Sequence, residues 1–104
     1  MEQAVIVHLR LRNRGFGSFE EREGIVALEE RLTTAIEQAD VGEFDGDECG
    51  GGECVLYMYG PNADSLFDII HRLLKTSPLA SKGYAIKRYG EASESDAPEV
   101  RITW

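Results

Sequence analysis

Apolar residues in this chain are spaced by two, then by three and four, then by two again, and the cycle repeats. In "AVIVHLRLR" (Ala4 to Arg12), Val5, Val7, Leu9 and Leu11 point one way while Ile6, His8, Arg10 and Arg12 point the other. That alternation reads as a strand with one buried face. "NRGFGS" then breaks the chain, and Ser18 with Glu21 three residues on carries the sign of a capping box. Ile25, Leu28, Leu32, Ala35, Ile36 and Ala39 follow at helical spacing, predicting an amphipathic helix over Phe19 to Ala39.

The second cycle is as regular. A strand from about Gly42 to Cys49 is followed by a stronger one, "ECVLYMY" (Glu53 to Tyr59). Asn62 suits an N-cap, and Leu66, Phe67, Ile70, Leu73 and Leu74 mark a second amphipathic helix. It should stop near "KTSP", because Pro78 cannot continue it. "GYAIKRY" (Gly83 to Tyr89) and the terminal "VRITW" read as strands, separated by the polar "GEASESDAPE". The predicted class is α+β, in the order β-α-β-β-α-β with an added C-terminal strand. Two helices on one face of an antiparallel sheet give the ferredoxin-like arrangement, with the first and third strands in the middle. The 104 residues fit one domain of that kind, spanning the whole chain.

Composition narrows the function classes. The net charge is −8, and most of the nineteen acids precede Cys49. Such a chain repels a phosphate backbone at long range, so nucleic acid is not an expected partner. No run approaches the ~20 apolar residues that cross a bilayer, so no membrane is expected. The N-terminal "MEQAVIVHLRLRNR" lacks a basic segment ahead of a long apolar one, which predicts a cytoplasmic protein with reduced thiols.

The stretch with the most chemistry-bearing residues is "DGDECGGGEC", Asp45 to Cys54. A calcium loop starting at Asp45 would place Cys49 at its fifth position and Leu56 at its twelfth, where oxygens are needed. A zinc site lacks partners, since the remaining cysteine and histidine ligands are only His8 and His71. The glycines lead into a strand, not a helix, and acids flank them, against a phosphate cradle. The same acids disfavour a thiolate nucleophile. No metal or cofactor is expected. A hairpin remains, turning on Gly51 and Gly52, with Cys49 opposite Cys54 and able to form a cross-strand disulfide under oxidation. Asp45, Asp47, Glu48 and Glu53 would decorate that acidic edge.

The uncovered sheet face is the other candidate. With Val5, Val7, Leu56, Met58, Tyr84, Ile86, Val100, Ile102 and Trp104 turned inward, it would display His8, Arg10, Arg12, Tyr57, Tyr59, Lys87, Tyr89 and Arg101. Tyrosine and arginine are enriched in interaction surfaces. A second copy of the chain or another protein could cover it. Single-stranded RNA could stack on the tyrosines, but "GGECVLYMY" lacks the aromatic signature of RNA-recognition modules.

"VGEFDGDECGGGECVLYMYGPNADSLFDII" (Val41 to Ile70), followed by "KGYAIKRYG", resembles small bacterial ferredoxin-like proteins of a family without an assigned function. The resemblance spans Val41 to Gly90. It implies a fold and lends no catalytic residue. The expectation is a non-enzymatic binding or regulatory module, homodimeric through the open sheet face. Two alternatives are an acidic inhibitor or immunity-type protein that binds a basic partner through the first helix and the Asp45–Glu53 carboxylates, and a small enzyme with a site at a dimer interface, using His8 with Cys49 or a tyrosine.

Overall fold

The structure is a computed structural model that describes residues 2–12, 15 and 17–104. Of the predicted break after the first strand, Asn13, Arg14 and Phe16 lie outside the described residues. The elements run β1 (Gln3–Arg10), α1 (Phe19–Ala39), β2 (Glu43–Gly50), β3 (Glu53–Gly60), α2 (Ala63–Thr76), a short 3-10 turn (Pro78–Ala80), β4 (Tyr84–Arg88) and β5 (Glu99–Ile102). The sheet order is β2-β3-β1-β4-β5, and every neighbouring pair is antiparallel. This is the ferredoxin-like α+β fold that the spacing predicts, with β5 added beside β4.

Local signals set the element ends. Glu21 N–H donates to Ser18 Oγ at 3.1 Å, and Glu21 Oε1 accepts from Ser18 N–H at 3.1 Å, so the capping box is complete. Glu21 Oε2 also accepts from Arg12 N–H at 2.9 Å, tying the end of β1 to the start of α1. These backbone donors, Arg12 first, hold the Glu21 carboxyl below its ordinary range. Asn62 caps α2 through Ser65 N–H at 3.0 Å. Gly51 and Gly52 both have positive φ, 61° and 84°, which a two-residue type I′ turn requires and other residues resist. The turn is fixed to its surroundings: Leu11 N–H donates to Gly52 O at 2.8 Å, and Gly52 N–H to Gly15 O at 3.0 Å.

Both helices cover the same face. Val5, Val7, Leu9, Cys54, Leu56, Met58 and Ala85 meet Ile25, Leu28, Leu32, Ile36, Leu66, Phe67, Ile70 and Leu74 in one buried cluster. Trp104 closes the β5 side, donating Nε1–H to Ala80 O at 2.9 Å. No helix among the described residues is long and apolar enough to cross a membrane.

Cys49 pairs with Cys54 in the hairpin register, as expected, with Cα atoms 4.0 Å apart. The expectation of two thiols is corrected: the structure joins them as a disulfide. Opposed residues on adjacent strands share a face, so the two side chains meet without moving the backbone.

Candidate functional site: the open face of the sheet

Strand register decides what the open face displays. Residues directly opposite one another in an antiparallel sheet project from the same side. One row across the face therefore runs Tyr57, Ile6, Ile86 and Arg101 on β3, β1, β4 and β5. A second runs Glu48, Val55, His8 and Tyr84, and a third Glu43, Tyr59, Ala4, Arg88 and Glu99. Arg10 lies opposite Glu53 at the hairpin end.

Three of the predicted face residues are not in these rows: Lys87, Tyr89 and Arg12. Lys87 and Tyr89 turn toward the helices, where Lys87 Nζ donates to Asp64 Oδ1 at 3.0 Å and Tyr89 Oη to the same oxygen at 2.7 Å. The Lys87 ammonium also stands 4.9 Å from the centre of the Phe67 ring, with only 13% of the side chain exposed. These contacts pull the Asp64 carboxyl down, through Tyr89 first and then Lys87. Conversely Tyr84 and Ile86, expected inside, lie on the open face. A one-residue change of parity reverses a whole strand. Here Ala85 is the side chain that packs under the helices, while Lys87 passes Phe67, and Tyr89 packs against the core, to reach a carboxylate at the helix edge.

Arg12 follows β1 and is exposed, contributing its backbone N–H to Glu21 rather than a side chain to the rows. His8, Arg10, Tyr57, Tyr59 and Arg101 occupy the face as expected. Ile6, Tyr84, Ile86 and Arg88 belong to it as well. Ile6 was visible in the β1 alternation, but the β4 residues required knowledge of which parity the helices cover.

The side chains on this face order one another. The Arg101 guanidinium lies 3.8 Å over the Tyr84 ring, and the His8 ring stacks on Tyr84 at 4.5 Å with 8° between planes. His8 Nδ1 meets Glu53 Oε1 at 3.1 Å. A layered chain of Glu53, His8, Tyr84 and Arg101 thus crosses from β3 to β5. Desolvation, followed by the nearby charges of Glu48, Tyr59 and Glu53, raises the Tyr57 pKa.

The acidic hairpin does not present one surface. A bulge between Phe44 and Gly46 makes Asp45 the extra residue of β2. Beyond it, Asp47 pairs with Leu56 and Cys49 with Cys54 on the helix side, while Glu48 pairs with Val55 on the open side. Glu53 is held by His8. Asp47 instead faces Glu29 of α1, a residue without a role in the sequence reading. Burial, together with the hydrogen bond and negative charge of Asp47, pushes the Glu29 carboxyl up to about 8. His8 and Cys49 project from opposite sides of the sheet and form no shared site.

Neither a protein-family model nor a curated protein matches the chain. Among solved structures, that of Rv0793 from Mycobacterium tuberculosis is similar, at 17% sequence identity and a TM-score of 0.61. The match covers 91% of this chain and 99% of Rv0793. At that identity the likeness is one of fold, matched nearly end to end.

Proposed function

We propose that the protein is a non-enzymatic binding or regulatory module that works as a homodimer, joined through the open faces of two sheets. The observation that carries this reading is the apolar centre of a face the helices leave uncovered. Ile6, Val55, Tyr57, Tyr84 and Ile86 lie side by side on the three inner strands, and Glu43, Glu48, Arg88 and Arg101 flank them. An apolar, aromatic centre with a charged rim is the anatomy of an interface.

Charge favours a second copy and selects how it sits. The β2 side of the face carries Glu43 and Glu48, with Glu53 next to them on β3. The β4–β5 side carries Arg88 and Arg101, with Glu99 opposite Arg88. A two-fold axis in the interface parallel to β1 lays the β2 edge of one protomer over the β4–β5 edge of its partner, acid against base. An axis perpendicular to the strands lays β2 over β2 and sets Glu43 and Glu48 against their own copies. The self-complementary contact of a two-fold dimer therefore favours the first arrangement. The carboxylates around Tyr57 also argue against a phosphate backbone on this face.

A charge-reversal cycle followed by sedimentation equilibrium tests the arrangement. E48R and R101E should each weaken self-association, and the double variant should recover most of the loss. Single variants that associate as tightly as the parent chain would remove the argument.

A further inference from the structure

On the helix side of the hairpin, Asp47, Cys49 and Cys54 each offer a ligand atom, and these atoms all lie within 4.8 Å of one another. Glu29 reaches the same place from α1, at hydrogen-bonding distance from Asp47. Its Oε2 is buried and has no hydrogen-bond donor among the described residues. Two carboxylates thus face each other, and among the described residues neither forms an ion pair. Arg22 lines the adjoining cleft of about 270 Å³ together with Ile25, Val26, Asp47 and Cys49, yet it forms an ion pair with neither carboxylate among the described residues. A buried oxygen with no donor calls for a proton or a cation.

We propose that reduction of the Cys49–Cys54 disulfide creates a zinc-class divalent cation site, built from Cys49, Cys54, Asp47 and Glu29. Sulfur atoms bonded to each other cannot both serve as thiolates, so the oxidised protein lacks the site. Cysteine sulfur and carboxylate oxygen are ordinary zinc ligands at ~2.3 and ~2.1 Å, and around a tetrahedral ion such atoms stand roughly 3.5 Å apart. Asp47, Cys49 and Cys54 already hold their ligand atoms within 4.8 Å of one another, and breaking the sulfur–sulfur bond frees the two Sγ atoms to separate to that spacing. The cysteine and histidine spacing alone completes no zinc set, and Glu29, eighteen residues before Asp47, carries no spacing signal.

The chemistry balances with a dithiol reductant. Cys49 borders the cleft and is partly exposed, whereas Cys54 is fully buried, so attack falls on Cys49 Sγ. The reductant's first thiolate bonds to Cys49 and Cys54 leaves as a thiolate. The second thiol then displaces Cys49, and the reductant departs as its own disulfide, having given two electrons. The cysteine thiols lose their protons to water as the cation binds.

The test uses the full chain reduced with a phosphine and titrated with Co²⁺, whose thiolate charge-transfer absorption reports sulfur ligation, with Zn²⁺ as competitor. The expected result is one equivalent bound with that absorption, displaced by Zn²⁺, and no such absorption from the disulfide form. D47N and E29Q should keep the absorption and weaken binding at least about tenfold each. E29Q also removes the facing carboxylates, so folding should not limit it. Absence of thiolate absorption in the reduced protein would overturn the site. Equal affinity in D47N and E29Q would also overturn it, leaving only a pair of thiols.

Discussion

Glu21 joins three backbone segments with one carboxylate, accepting from Arg12 N–H and Ser18 N–H while its own N–H is capped by Ser18. Its lowered pKa gives the linkage a sign. A carboxyl held lower in the folded chain than in the unfolded one contributes stability above the ordinary carboxylate range. That contribution is lost as pH falls through the folded value. E21Q should therefore melt lower than the parent at pH 7 and lose less on acidification. Melting curves from neutral to acid pH check this, and parallel curves would contradict it. Ser18→Ala should cost about 1 kcal/mol, the usual worth of an N-cap side chain. Both residues were legible in the sequence, because a capping box is a local pattern. The contact of Glu21 with Arg12 was not, since it depends on how the intervening loop folds back.

Among the elements, β4 teaches the most. Its alternation identified a strand, but a period of two does not say which parity the helices cover. Hydrophobicity favoured Tyr84 and Ile86, and the structure buries Ala85 instead because α2 offers Lys87 and Tyr89 a carboxylate at Asp64. That partner lies twenty-odd residues away on another element, beyond any local signal. The hairpin was more readable: with Gly51 and Gly52 at the turn, the pairing of Cys49 with Cys54 follows by counting. The bulge at Asp45 was not readable, and it is what separates the acids on β2. The faces of β4 give a direct test. Ala85→Leu should overpack the core and destabilise the protomer by about 1–3 kcal/mol. Ile86→Thr, on the open face, should leave the protomer's denaturant midpoint nearly unchanged when measured at low concentration. The reverse ranking would mean that the strand is turned the other way.

At the scale of the molecule, helices cover one side of a five-stranded sheet, and the other side carries apolar and aromatic residues in its three inner strands. The order of elements predicted this architecture, and the solved structure of Rv0793 shares it. The composition of the open face depended on register and so changed in part, becoming more apolar than the sequence suggested once Tyr84 and Ile86 replaced Lys87 and Tyr89. The change strengthens the central claim that a second copy covers it. Light scattering on the parent chain and on I86E, which puts a charge in the middle of that face, tests the claim most directly. A dimer through this face should give a parent mass of twice the 11.6 kDa protomer and an I86E mass of one protomer, with the fold intact by circular dichroism. A parent chain that stays monomeric at high concentration, or an I86E variant that stays dimeric, would contradict it.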